Sequence, residues 1–111
     1  MFEHSKQGAV DLLVCREPLT TESSDAARQL VEPMLSVGQP CLVLAMDQMA
    51  LLDSCGLELL LDWKDACTLR GGDLRLCGVN ELCREILEIT DTAQAFEMHE
   101  DSLSAIGSFS Q

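Results

Sequence analysis

The chain has 111 residues, of which 47% are hydrophobic and 23% charged, enough for one globular domain and too few for two. Its formal net charge is -12, with 7 Lys and Arg against 19 Asp and Glu, so nucleic acid and anionic membrane surfaces are disfavoured as partners. Because residues 1–10 lack a signal-peptide core and no apolar run approaches the roughly 20 residues that span a bilayer, we expect one domain over residues 1–111, in the cytoplasm and not inserted in a membrane.

The first half of the chain predicts three strands and one helix. Residues 9–15 (AVDLLVC) are typical of a strand, and a turn at Gly8 pairs them with a short strand over residues 2–5. Residues 26–35 repeat apolar side chains at helical spacing. Residues 41–46 (CLVLAM) form a continuous apolar run, which favours a central strand that is covered on both faces.

The segment after this strand predicts an amphipathic helix that starts between residues 54 and 56 and runs to Leu69. At 100° per residue, one face of this helix is apolar and the other is acidic. The apolar face contains Leu59, Leu60, Trp63, Ala66 and Cys67, and the acidic face contains Glu58, Asp62 and Asp65. Gly71 and Gly72 end the helix, and residues 73–79 alternate like a strand.

The last third of the chain predicts two more helices and one strand. Asn80 is the expected N-cap of a helix over residues 81–89, and Asp101 is that of a terminal helix that reaches Phe109. Residues 95–98 are expected to form a short strand. Strands therefore alternate with helices along the chain, and right-handed crossovers predict an α/β sandwich with a mixed, mostly parallel sheet.

The chain carries little of the chemistry that an enzyme or a metal site of this size needs. Its two histidines, His4 and His99, lie near the ends of the chain, and neither is placed beside a nucleophile. The six cysteines lack the paired spacing of a zinc site, and except for Cys55 we expect them to pack as small apolar side chains. We therefore expect no enzymatic activity, no metal and no cofactor.

One stretch, residues 49–61 (MALLDSCGLELLL), is harder to explain as scaffold alone. Its apolar run is interrupted by Asp53 and Ser54 before the helix resumes. Side-chain oxygen atoms at a strand-to-helix turn accept hydrogen bonds from the free amides of the first turn. Helix capping is therefore a sufficient explanation for both residues. The same place tolerates a phosphate, because a helix N-terminus carries partial positive charge. Capping and a switch site are therefore both open.

Two segments, residues 53–57 (DSCGL) and residues 71–90 (GGDLRLCGVNELCREILEIT), resemble the STAS domain, the sulfate transporter and anti-sigma factor antagonist family. The order and spacing of the predicted elements extend the resemblance over residues 9–109. It implies a STAS-like α/β sandwich in which helices pack mainly on one side of a small sheet. It also implies an anti-sigma factor antagonist: such proteins bind an anti-sigma factor, usually a small serine kinase, which phosphorylates a serine of the motif and so breaks the complex.

The motif departs from the family pattern at its centre. The usual sequence is Asp-Ser-Ser/Thr-Gly-Leu with the second hydroxyl phosphorylated, and that position is Cys55 here. Ser54 keeps the first hydroxyl and is the phosphorylation candidate, whereas Leu19 stands where many antagonists have an acidic residue that often faces the kinase. Three interpretations of Cys55 are open: a small packing residue, a lost switch in a constitutive binder, or a redox-responsive thiol at a helix N-terminus.

We expect a protein partner, an anti-sigma factor of the serine-kinase type or a related regulator, to dock on the exposed rim of this turn. The expected partner-binding residues are Met49, Asp53, Ser54, Cys55, Gly56, Leu57, Glu58 and Asp62. The alternative is a small STAS subunit that binds the ATPase of a bacterial lipid-transport ABC system, whose motif also has a hydroxyl directly after the Asp. Association as a homodimer is left open.

Overall fold

The computed structural model describes residues 2–110, which form a five-stranded sheet and four α-helices. The strands are β1 (Phe2–Gln7), β2 (Val10–Cys15), β3 (Cys41–Ala45), β4 (Asp73–Cys77) and β5 (Glu97–His99). The helices are α1 (Ser24–Leu35), α2 (Ser54–Leu69), α3 (Glu81–Ile89) and α4 (Ser102–Ser108), and a short 3-10 helix lies at Ala93–Ala95. Every predicted strand and helix therefore has a counterpart.

The sheet has the spatial order β1-β2-β3-β4-β5. β1 and β2 form an antiparallel hairpin, and the other neighbouring strands are parallel. In this register Leu13 lies beside Leu44 and Leu44 beside Leu76, so equivalent side chains of three strands form one apolar row across the sheet. The mixed, mostly parallel α/β sheet is confirmed.

The helices are distributed unequally over the two faces of the sheet. The larger core lies on one face, where residues of α1, α2 and α3 pack against strand residues such as Leu44 and Leu76. On the other face α4 alone covers a smaller cluster, in which Ala105 packs with Val43 and Ala45. Helices therefore pack mainly on one side, as expected from the family resemblance.

Side-chain caps mark the beginnings of α3 and α4. The Cys83 amide donates to Asn80 Oδ1 at 2.9 Å, and the Ser104 amide donates to Asp101 Oδ1 at 2.8 Å, so both predicted caps are confirmed. The expected strand over residues 95–98 is wrong in position: the chain first makes a 3-10 turn, closed by the Ala95 amide and the Thr92 carbonyl, and β5 begins only at Glu97.

Four cysteine side chains, those of Cys15, Cys67, Cys77 and Cys83, are buried as free thiols. Burial raises the pKa of Cys15 and of Cys67 to about 12, and that of Cys77 to about 11. Because the thiolate is the nucleophile and the metal-binding form, these groups act as small apolar side chains in the core, as expected.

The apolar row across the sheet predicts different effects of two leucine-to-alanine variants on the free energy of unfolding. Leu76→Ala removes a side chain that is 0% exposed and should lower the free energy of unfolding by about 2–5 kcal/mol through lost burial and a cavity. Leu103→Ala removes the same atoms from a side chain that is 81% exposed and should change it by less than about 0.5 kcal/mol. Urea unfolding measures both, and equal losses would contradict this layering.

Candidate functional site

The motif lies where the loop after β3 turns into α2. Asp53 is the N-cap, with an extended backbone at φ -94° and ψ -177°. Its Oδ1 atom accepts a hydrogen bond of 2.9 Å from the Gly56 amide, which satisfies one of the amides that a helix leaves free in its first turn. α2 begins at Ser54, so the motif occupies the strand-to-helix turn that its sequence predicts.

A second segment lies against this turn: residues 16–23, which connect β2 to α1 and which we call the β2–α1 loop. The Leu19 amide donates to the Leu51 carbonyl at 3.0 Å, and the Asp53 amide donates to the Leu19 carbonyl at 3.3 Å. Leu19 and Leu52 thereby form an isolated parallel bridge. Two loops that are far apart in the sequence therefore present one continuous surface.

The second oxygen of Asp53 strengthens this junction. Its Oδ2 atom accepts from the Thr21 amide at 3.1 Å and lies 3.4 Å from the Thr21 hydroxyl. The amide of Gly56, followed by that of Thr21, holds the pKa of the Asp53 carboxyl below its usual value, because hydrogen bonds to a carboxylate favour its charged form. Asp53 is thus a charged bridge between α2 and the β2–α1 loop.

Gly56 allows the two segments to approach this closely. A Cβ atom at position 56 would lie 2.1 Å from the Leu19 carbonyl oxygen and 3.0 Å from the Leu52 Cδ1 atom. The first distance is far below van der Waals contact with a backbone atom that the Asp53 amide already holds. The glycine of the motif is therefore required by the backbone of the β2–α1 loop.

The predicted partner-binding residues differ in their access to solvent. The side chains of Ser54, Glu58 and Asp62 are exposed, whereas those of Asp53 and Cys55 are half-buried. These five residues lie in the first turns of α2 or directly before it. They form the part of the predicted rim that a partner can reach.

The expectation that Met49, Gly56 and Leu57 lie on the exposed rim is wrong. Met49 is 0% exposed and Leu57 only 8%, and Gly56 is covered by the β2–α1 loop. Met49 packs into the main core, and its carbonyl accepts a 2.7 Å hydrogen bond from Asn80 Nδ2, which fixes the loop after β3 to the start of α3. These three residues therefore lie beneath the exposed surface and are not accessible to a partner.

The structure adds residues that the sequence did not single out. Leu51 is 45% exposed and Thr21 is exposed, next to the motif. Both line a shallow concavity of about 370 Å³, together with Pro18, Thr20, Glu22 and Asp53. Thr21 and Leu51 come close to the motif through contacts between two loops that are far apart in the sequence. The one sequence signal for this closeness was the family resemblance, in which Leu19 stands where many antagonists have an acidic residue that often faces the kinase.

The remaining candidate groups have structural partners. His4 Nε2 lies 2.8 Å from Asp11 Oδ1, and His99 Nε2 lies 3.1 Å from Glu97 Oε1. Within residues 2–110 no group of three or more His, Cys, Asp or Glu side chains is arranged to hold a metal ion. No helix in this part of the chain is long and apolar enough to cross a membrane.

The family model of the STAS domain matches residues 3–105, and the chain belongs to the STAS domain family. No curated protein sequence gives a significant match. A proposed anti-sigma factor antagonist from Thermotoga maritima has a similar structure, with a TM-score of 0.91 at 18% identity over 99% of this chain and 95% of that one.

The anti-sigma factor antagonist SpoIIAA from Bacillus is also similar. Its unphosphorylated form has a TM-score of 0.85 at 12% identity, over 99% of this chain and 96% of that one. Its phosphorylated form has a TM-score of 0.76 at 12% identity, over 98% of this chain and 99% of that one. At such identities these structures establish the fold, which agrees with the resemblance inferred from the motif.

The close approach at Gly56 predicts different effects of two glycine-to-alanine variants on the free energy of unfolding. Gly56→Ala should lower the free energy of unfolding by about 1–3 kcal/mol, since the new methyl group clashes with the Leu19 carbonyl. Gly107→Ala in α4, where a Cβ would meet nothing within 4 Å, should be neutral or should stabilise by up to about 1 kcal/mol, since alanine favours helix. Thermal and urea unfolding compare the two variants, and a harmless Gly56→Ala would disprove the tight junction.

Proposed function

We propose that this protein is a regulatory binding module similar to anti-sigma factor antagonists, which docks on an anti-sigma factor of the serine-kinase type or a related signalling protein. The observation that carries the proposal is the surface at the start of α2, where Asp53 is joined to the β2–α1 loop and Ser54 is exposed beside it. Family membership and the antagonists of similar fold support it. The protein then acts by binding in the cytoplasm, without catalysis and without a cofactor.

The proposed interface is the exposed part of this surface. It consists of Asp53, Ser54, Cys55, Glu58 and Asp62. The carboxylates of this set, in a chain of net charge -12, favour a basic complementary surface on the partner and accelerate encounter with it. The exposed apolar side chain of Leu51 supplies area that a partner can bury.

Charge reversal on α2 tests this interface. The double variant Glu58→Lys with Asp62→Lys should slow association with the native partner by about tenfold at about 0.1 M salt, and the loss should shrink at about 1 M salt, where charges are screened within about 3 Å. The matched control reverses two exposed carboxylates of α3, Glu85→Lys with Glu88→Lys. Surface plasmon resonance measures the rates, and equal effects of the two double variants would place the interface elsewhere.

We propose further that the usual switch of the motif is lost at Cys55. The position carries a half-buried thiol in place of the hydroxyl that the family phosphorylates. Ser54 is the alternative acceptor: a phosphate there adds about -1.5 to -2 charges next to the Asp53 carboxylate, and this charge would oppose docking. We favour the lost switch, because the oxygen is missing at the position where the family's chemistry takes place.

Phosphopeptide mapping separates these alternatives. After incubation with the partner kinase and ATP, the tryptic peptide of residues 29–64, which contains both positions, should carry no phosphate in the wild-type protein or in Ser54→Ala. The same peptide should gain phosphate in Cys55→Ser, because that variant restores the hydroxyl on an unchanged docking surface. Phosphate on wild-type Ser54 would overturn the lost switch.

The second candidate function is the subunit of a lipid-transport ABC system. The exposed Ser54 directly after Asp53 favours it, since the motif of that group carries a hydroxyl at this position. The identity of the ATPase that co-purifies with the protein decides between the two: a serine-kinase-like ATPase supports the antagonist, and an ABC ATPase supports the transport subunit.

A further inference from the structure

Helix α3 carries a stripe of apolar side chains on its solvent side. Its Cys83 and Leu87 side chains are buried in the main core. By contrast, Leu82 is 46% exposed and Ile89 is 75% exposed, with half-buried Ile86 between them. At 100° per residue, Leu82, Ile86 and Ile89 fall within about 60° of one another around the helix axis. α3 therefore has a second apolar stripe beside the one that it buries.

This repeat distinguishes α3 from the other places where large apolar side chains are exposed. Within residues 2–110 the others come from four different segments: Val37 follows α1, Leu51 follows β3, Leu69 ends α2 and Leu103 lies in α4. An exposed apolar side chain is ordinary on a protein surface. The spacing i, i+4, i+7 on one helix, however, is the one by which amphipathic helices bind each other.

An acidic row borders the stripe. Glu81, Glu85 and Glu88 are exposed, and by the same angular count they fall within about 60° of one another, directly beside the stripe. With Leu82 and Arg84 they line an open concavity of about 390 Å³. Three carboxylates against one guanidinium make this side of the helix negative, so it attracts a basic surface. We call the stripe and the row together the α3 face.

The helix that carries the α3 face is fixed in the fold. Asn80 caps α3, and its Nδ2 atom donates to the Met46 and Met49 carbonyls at 3.2 and 2.7 Å. The buried stripe of α3 holds the helix against the sheet. The outer surface is therefore formed before a partner arrives, and less conformational entropy is lost on binding.

The chemistry of the α3 face selects among its possible occupants. A second copy of this chain, bound through the same stripe, would bring two acidic rows into one interface, in a chain of net charge -12. Anionic lipid and nucleic acid also carry negative charge and are repelled. A helix with apolar side chains at i, i+4 and i+7 and with lysine or arginine beside them fits both features.

We propose that the α3 face is a second docking surface, on a helix other than α2, and that its partner is a basic amphipathic helix of another protein. In the complex, apolar side chains of the partner cover Leu82 and Ile89. Its basic side chains lie over Glu85 and Glu88. The inference goes beyond the proposed function and does not depend on which partner binds at the start of α2.

Two synthetic peptides serve as the probe. Both contain about 18 residues of leucine, lysine and alanine in the same composition, long enough for a helix to form. In the first peptide, leucines at i, i+4 and i+7 form one stripe with lysines beside it. In the second, the same residues are distributed evenly around the helix. Fluorescence anisotropy measures the dissociation constants, and backbone amide chemical shifts of the isotope-labelled full-length protein locate the bound peptide.

Ile89→Ser tests the apolar part of the α3 face. It should weaken binding of the first peptide about tenfold, because it replaces the more exposed of the two apolar side chains that the peptide covers. The matched control Leu103→Ser makes a similar change at an exposed position of α4 and should change the dissociation constant by less than about twofold. The amide shifts should centre on α3.

Glu85→Lys with Glu88→Lys tests the acidic part. This double variant should weaken binding of the first peptide about tenfold at about 0.1 M salt, and less at about 1 M salt. Glu58→Lys with Asp62→Lys on α2 changes the net charge equally and should have a smaller effect. Association of the native partner at the start of α2 should be unchanged in Ile89→Ser, so failure of this inference would leave the proposed function standing.

Several results would overturn the inference. Equal affinity for the two peptides, or equal losses in the two double variants, would mean that net charge alone attracts them. Failure of the first peptide to bind, or amide shifts centred on the start of α2, would remove α3 as its site. A dimer of the wild-type protein that is lost in Ile89→Ser, measured by sedimentation velocity, would assign the α3 face to a second copy of this chain.

Discussion

The Asp53 carboxylate holds together the surface on which the rest of the site depends. One of its oxygens caps α2 through the Gly56 amide, and the other binds the Thr21 amide of the β2–α1 loop. The junction closes only because residue 56 has no side chain, since the Leu19 carbonyl occupies the place of a Cβ atom. One carboxylate and one glycine thus determine the relative position of two loops that are distant in the sequence.

This arrangement concentrates negative charge where a partner is expected to bind. The hydrogen bonds to Asp53 keep its carboxyl ionised, with a lowered pKa, and Glu58 is exposed one turn further along α2. A further anion beside Asp53 would enter the field of an existing charge that its hydrogen bonds hold in place, and it would therefore increase the repulsion at this surface.

Much of this architecture could be predicted from local sequence signals. The run of residues 41–46 predicts β3, and Asn80, Asp101 and Asp53 predict the starts of three helices, because a strand pattern and an N-cap act within a few residues. The burial of Met49 and the contact of Thr21 with Asp53 could not be predicted in this way. Both depend on how loops from separate crossovers meet at the edge of the sheet, which no local pattern describes.

The shape of this surface does not depend on a hydroxyl at position 55, for a structural reason. The hydrogen bonds that join the two loops are made by backbone atoms and by the side chains of Asp53 and Thr21. A change from serine to cysteine at position 55 therefore removes an oxygen nucleophile and leaves the shape and charge of the surface in place. Asp53 and Gly56 therefore determine the geometry of this surface, whereas position 55 can lack an oxygen without disturbing the junction.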